Sequence, residues 1–595
     1  MKGIVKVFAI TSILVLIGAG VLAFFANKKA TEIKREQKAL QDRQLDKPVY
    51  GVKRENIATD MIIPLFLSGP SKNVNTFTHD KVDDIYDVAK SQGVEDSLHK
   101  ITSTKNAGFD KPIWAYNPYG TDAQSMYVYF TTDKEYYLNY TIHIENSDIP
   151  DFRRSAIIDE TREVTRTHEY MLRGLIPGVD NYIIMELVDA KGELYKREVF
   201  RVSIPKIDKG ADTQLVVKDG QSMEQESFGL FFGIGYKSKG TRKGIYIYDN
   251  SGYLRGSIPA KNTTTNMMFY NNNLFFNYTP RNIVAINPMG KVVANYKITG
   301  YKISQDFRYD AFGHILAIAT ADGAKSIQDR VISINIKNGG VQELLNMSKL
   351  MGDARKHAKG KKKWIMLNSV IISGSSTLIL SSQELSSIII VDNVGSKLPV
   401  VSGILSQPEI WSGTKYSECV YSQTELSEGE DGGGGQGDAT GEEGYAVAGI
   451  FTSHLRPGDL HLTRDESLTE DQFYLSLYNT NNAFSATRKD LNLASYQMMG
   501  SNGVVPGHSY EYTYLVDREA KTYALTKQNE LPYTTQCGNV FGFGEHFVVY
   551  TEGENSFSER DAKNISIQSY TLDSRASMKK VYKYDMKGIW FTEPK

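Results

Sequence analysis

The sequence predicts an all-β protein: a six-bladed β-propeller preceded by a small Ig/fibronectin-like β-sandwich and an N-terminal transmembrane helix. Three observations predict it. A strand–loop–strand unit recurs from Phe228 onward, residues between about 50 and 205 alternate apolar and polar in short runs, and Val7 to Phe25 carries no charge. A chain of 595 residues exceeds what one ordinary core holds, and its 36 Tyr and 25 Phe favour strands.

The uncharged run has Lys2 and Lys6 before it and Lys28 and Lys29 after it, and is long enough to cross a bilayer as a helix. It is read as an uncleaved anchor over 1–27. A cleavable signal peptide is the rival, but Ala23-Phe-Phe-Ala26 is a poor cleavage site. Residues 28–49 read as a charged stalk. Their Lys28, Lys29, Lys34, Arg35 and Lys38 would by themselves hold that side in the cytoplasm.

The sandwich is expected over 50–205. MYVYFTT, YYLNYTIHIE and REVFRVSIP alternate as half-buried antiparallel strands do, and Gly174-Leu-Ile-Pro-Gly178 before Tyr182 reads as the turn ahead of a late strand. HDKVDDIYDVAKSQGVEDSLHK is compatible with a helical insertion. His143 and His168 read as packed or surface residues.

The propeller is expected over 206–595. LFFGIG pairs with GIYIYDNSG, NLFFNY with NIVAINPMG, HILAIAT with RVISINIKNG, and TLILSS with SIIIVDNVG. QFYLSLYN pairs with YEYTYLVDREA, and HFVVYT with ISIQSYTLDS. Such sheets cannot bury both faces alone, so six of them stack around an axis. Residues 425–444, acidic and glycine-rich, read as a disordered loop in preference to a calcium site. A net charge of -1 offers no general field for nucleic acid. With only Cys419 and Cys537 a disulfide-stapled scaffold is excluded, leaving one bridge or two thiols open. The ten histidines form no His-x-x-x-His pair, so neither metal nor cofactor is expected. No Gly-x-Ser-x-Gly elbow or phosphate-cradling Gly-Lys-Ser/Thr loop occurs.

Function in such a fold resides in single positions that separate blades bring to the central channel. Lys363-Trp364, Met366, Asn368-Ser369-Val370 and then Ser381-Ser382-Gln383 with Ser386 resemble the signature of the bacterial arylsulfate sulfotransferase family. That family reads Asp-Trp-x-His-x-Asn-Ser-Val, then Ser-Ser-Arg-x-x-Ser. Its His is Met366 here, its Asn is kept as Asn368, and its Arg is Gln383. Its His-Asp followed by Gly-x-Leu-Leu corresponds to Gln305-Asp306 and Gly313-His314-Ile315-Leu316. Its nucleophile lies in Gly-Gln-His ahead of a Tyr-Tyr-Leu strand, which points to His461 in Gly458-Asp459-Leu460-His461, with His454 second. Arg488, in SATRKD, also resembles the family.

The resemblance implies sulfuryl transfer from a phenolic sulfate donor to a phenol acceptor through a sulfated histidine, without a nucleotide donor. It further implies an exported domain, hence a membrane-anchored, extracytoplasmic protein at the bacterial cell surface. Asn368, Gln305, Met366, Gln383 and Arg488 would then bind substrate around His461. Two function classes follow. In one the transfer survives the replacements. In the other the channel binds a small aromatic or anionic ligand, or its rim a protein partner, without turnover. Ordinary structural readings stand beside these: Trp364 as core, His314 as packed, and Asn368 and Ser369 as satisfying backbone groups at a strand entrance.

Overall fold

The structure, a computed structural model, describes residues 62–63 and 74–595 except 146, 158–163, 208–213, 237–242, 262–263, 425–450, 499–506, 537, 553 and 574–575. The expected anchor and stalk, the acidic loop over 425–444 and Cys537 lie outside the described residues. Among the described residues no helix is long and apolar enough to cross a membrane.

The N-terminal unit is a sandwich of eight strands organised on one long strand, Ser125–His143. MYVYFTT and YYLNYTIHIE, expected as separate strands, are continuous. Met126 to Thr131 pair with Thr165–Arg173, and Leu138 to Ile142 with Asp180–Val188 and Phe152–Ala156. The polar residues between them are mostly solvent-facing yet stay extended, so the strand passes from one layer to the other without a turn. Gly174 and Gly178 both take positive φ (97° and 78°), as the tight connection into Asp180–Val188 requires. His143 bonds Asp151 at 2.7 Å, and His168 is buried and stacked on Phe130.

The helical insertion is Val88–Thr104. Asp87 caps it by accepting from Lys90 N at 3.0 Å, and Ser91, Val94 and Leu98 form its buried stripe. It brackets the two units: Ser91 Oγ accepts from Val292 N (2.9 Å), and Lys291 pairs with Glu95. Beside it, buried Asp122 takes Arg173 at 2.6 Å and Ser257 N at 3.1 Å, while Arg173 also donates to Pro288 O. One apolar cluster runs from Phe152 and Trp114 of the sandwich to Phe232 and Phe276 of the propeller.

Six sheets of four or five strands form the propeller. Their inner strands are Met267–Tyr270, Tyr301–Tyr309, Leu367–Ser373, Gly458–Thr463, Gly538–Phe543 and, from the far C-terminus, Lys580–Tyr584. The ring closes at both chain ends. Lys580–Tyr584 is the inner strand of the first blade, against Leu230–Tyr236, and Val216–Asp219 is the outer strand of the sixth. The recurring pairs are the two middle strands of each blade, with one correction. HFVVYT pairs with Ser556–Arg560, which is too polar to stand out, and ISIQSYT is the next strand outward. After the last inner strand the chain returns to the sandwich, where Phe591 is buried against Phe152 and Ser155 bridges Thr592.

Candidate active site

Each inner strand carries a polar residue followed by an apolar one, at or near its start in five of the six and within the strand in Tyr301–Tyr309. These doublets are Asn266-Met267, Asp306-Phe307, Ser369-Val370, Asp459-Leu460, Asn539-Val540 and Lys580-Val581. Their polar side chains stitch each blade to the next. Asp306 Oδ2 accepts from Val370 N (3.2 Å), Ser369 Oγ from Leu460 N (3.1 Å), Asp459 Oδ2 from Val540 N (3.1 Å), and Asn539 Oδ1 from Val581 N (2.9 Å). Asn266 donates to Phe307 O at 3.0 Å, and Tyr582 OH closes the circle onto Asn266 Oδ1 at 2.6 Å. An inner strand lacks a hydrogen-bonded neighbour on its axial edge, so side chains satisfy what a sheet would otherwise pair.

Charge is concentrated in this layer and two residues beyond it. Arg308 Nε donates to Asp306 Oδ2 (3.0 Å) and its Nη2 to Ser369 Oγ (3.3 Å). Lys580 Nζ donates to Asp459 Oδ1 at 3.1 Å, and His461 Nε2 lies 3.4 Å from Asp459 Oδ2. The His461 side chain is 40 % exposed, whereas that of Asp459 is 4 % exposed. Burial opposes the charge on Asp459, yet Lys580, His461 and Arg308 hold it well below the usual carboxylate range. Burial likewise works against Lys580, but Tyr582, Asp459 and Asp306 raise it, so it stays an ammonium. Tyr582 is pushed up to about 12, chiefly by burial, and remains a neutral phenol. The cluster therefore holds two fixed cations, two carboxylates, one imidazole and one phenol, drawn from the first, third and fifth blades.

The sequence-predicted residues distribute around this cluster. His461 is in it. Gln305 directly precedes Asp306 and Met366 lies three residues before Ser369, both at strained backbone positions, with φ of 68° and 50°. Arg456, three residues before Asp459 as Met366 is before Ser369, shares this conformation (φ 51°). Gln383 N donates to Met366 O at 3.1 Å, placing the two together. Asn368 is clamped between Ser381 Oγ and Pro457 O and so ties the fourth blade to the fifth. Arg488 is elsewhere: its guanidinium goes to Ile410 O (2.8 Å) and Asp490. The cations that act on His461's partner Asp459 are instead Lys580, which pairs with it, and Arg308. His454 is buried on Tyr514 OH, and burial drives it down to about 3. Trp364 is fully buried core, while His314 is half-exposed beside Asp310.

Arg308, Asp459, Lys580 and Tyr582 escaped the sequence reading. The recurring polar–apolar doublet was the available signal, since every inner strand carries or abuts one. Among the described residues no group of His, Cys, Asp and Glu could hold a metal ion.

Fold and cluster define a class: a propeller with a histidine among fixed cations in its central channel, joined to an Ig-like sandwich. The arylsulfotransferase (ASST) family model matches residues 209–588, and the arylsulfotransferase Ig-like domain model matches 113–205. The chain belongs to the arylsulfotransferase family. A comparison with curated proteins finds no match. Solved structures similar to this chain include a putative 6-phosphogluconolactonase from Bacteroides fragilis, at 11% identity, 76% coverage of this chain and 99% of that one, with a TM-score of 0.30. The periplasmic gluconolactonase of Pseudomonas aeruginosa shares 11% identity over 74% of this chain and 97% of its own, at a TM-score of 0.29. Scores this low carry no argument about function.

Proposed function

We propose that the protein transfers a sulfuryl group from a phenolic sulfate ester to a phenol, with His461 as nucleophile. The observation that carries this reading is that His461 and Lys580 share the Asp459 carboxylate, with Arg308 close enough to act on the same carboxylate. An imidazole nitrogen attacks sulfur, an N–S bond forms, and the S–O(aryl) bond breaks with its electron pair leaving on the phenolate. The acceptor oxygen then attacks the same sulfur, the N–S electrons return to the ring, and the acceptor's proton passes to the departed phenolate or to water. Arg308 and Lys580 supply the positive charge facing the sulfuryl oxygens that position 383 no longer provides. Asn368, Gln305, Gln383 and Met366 border the donor at the strand entrances. The charge-free run Val7 to Phe25 supports anchoring to the membrane with the propeller on the extracytoplasmic side.

The second reading, a binding channel without turnover, is favoured by Gln305, Met366 and Gln383, which offer neither charge nor titration. Steady-state kinetics with 4-nitrophenyl sulfate and varied phenols decide between the two. Transfer predicts parallel double-reciprocal lines and their loss in His461→Ala. Arg308→Met should cost about 10²–10³-fold in turnover, the usual loss for one preorganised donor. A protein that phenyl sulfate stabilises against heat, with no sulfated acceptor formed, would establish the binding channel.

A further inference from the structure

Asp459 is buried at an unusual backbone position. It is a non-glycine residue at φ 49°, at an irregularity in the pairing between Gly458 and His461. There one carboxylate meets three partners from three blades. Oδ2 accepts from Val540 N of the sixth blade and faces His461 Nε2 on its own strand, while Oδ1 takes Lys580 Nζ of the first. Strain at such a position persists where the surroundings over-determine it, and it clusters at functional sites. The stitching role alone does not need a charge: Ser369 and Asn539 accept the same backbone bond as neutral groups.

A neutral imidazole must keep one nitrogen free to attack. A carboxylate facing Nε2 can only accept, so the proton resides on Nε2 and the lone pair on Nδ1. Resting on the sulfuryl-transfer reading, we propose that Asp459 is a positioning residue that holds His461 in the Nε2–H tautomer and presents Nδ1 to sulfur, with Lys580 pinning the far oxygen of the carboxylate. The contact of 3.4 Å is long for a hydrogen bond, and such contacts tighten when the reacting complex forms. The attacking ring keeps its Nε2 proton throughout. The sulfated intermediate is therefore a cationic ring bearing an anionic sulfo group, and its positive charge faces Asp459.

Two measurements on the full chain in detergent test this. Nitrogen-15 spectra of histidine-labelled protein, with the His461 signal assigned by its loss in His461→Gln, should show a protonated Nε2 and an unprotonated Nδ1 in the neutral form. An Nδ1–H tautomer or an equal mixture would overturn the proposal. Asp459→Asn that keeps its oxygen on Val540 N presents that same neutral oxygen to His461 and its NH₂ to Lys580, so the acceptor for Nε2–H loses its charge and its clamp. The proposal predicts a weakened preference for the Nε2–H tautomer and a turnover about 10²-fold or more lower, at an essentially unchanged KM. Wild-type turnover in Asp459→Asn would refute the positioning role while leaving the transfer intact. Absence of transfer in the unmutated protein would refute the transfer reading, and the tautomer would still decide the placement of Asp459. If Asp459→Asn does not fold, the spectrum of the unmutated chain decides.

Discussion

The closure of the ring rests on a buried charge pair, and replacing Glu559 by Gln tests how much that pair matters. Glu559, on Ser556–Arg560 of the sixth blade, and Lys583, on the inner strand of the first, have fully buried side chains and form an ion pair. Glu559 Oε1 also accepts from Ser227 N (2.7 Å) and His546 Nδ1 (2.9 Å). Lys583 donates to Asn250 Oδ1 at 2.9 Å and lies over the Phe231 ring at 4.4 Å. In Glu559→Gln the ammonium keeps its amide and its aromatic ring but loses its only contacting carboxylate among the described residues. Breaking a buried pair from one side costs about 3–5 kcal/mol. A second route bounds the figure: Lys583 could instead shed its proton, and neutralising an amine of ordinary pKa 10.5 at pH 7 costs about 5 kcal/mol. Burial already pulls Lys583 down, with Glu559 acting in the opposite sense, so the true bound is lower. Urea unfolding followed by tryptophan fluorescence measures the loss. The double variant with Lys583→Met should recover most of it, and Lys261→Met, on an exposed pair with Asp83, should change nothing measurable. A loss below about 1 kcal/mol in Glu559→Gln would refute the reasoning.

Other outcomes follow from individual contacts. Burial pushes the His168 imidazole from 6.5 down to about 4, so the unfolded chain binds its proton first as pH falls. Stability is thus lost between pH 6.5 and 4, by up to about 3 kcal/mol, and His168→Phe should flatten that limb of a melting-temperature profile. A Cβ on Gly458 would lie 2.8 Å from Asn368 Nδ2, so Gly458→Ala should displace the clamped amide. Transfer should fall by about 10²-fold with the circular dichroism unchanged. Deleting residues 586–595 removes buried Phe591 and the Ser155–Thr592 bridge, and should expose the sandwich–propeller junction to limited proteolysis.

Much of the fold was legible because the middle strands of each blade are buried on both faces. They read as apolar runs such as Thr377–Ser382 and Ser387–Asp392, ended by an Asp or Asn turn. The inner strands were not legible. They carry the polar doublets and leave the extended region at Gln305 and Asp459, and just ahead of the fourth blade's inner strand at Met366, so no period survives. His461 was reached through local pattern. Arg308 and Lys580 could not be, because the topology alone brings Lys580 of the last strand to Asp459, 121 residues earlier. Arg488 misled for the converse reason: its place in the chain follows the fifth blade's strand, but its side chain turns to Ile410 O.

The most direct test of the central claim is to look for the covalent intermediate. Full-length protein mixed with 4-nitrophenyl sulfate in the absence of acceptor, quenched and digested under mildly alkaline conditions, should carry one added sulfuryl group on the peptide containing His461. Addition of phenol before the quench should discharge it with matching formation of phenyl sulfate. A protein that releases 4-nitrophenol and sulfates phenol while the label sits on another residue would contradict the assignment of His461. No label and no product with any aryl sulfate would contradict the transfer itself.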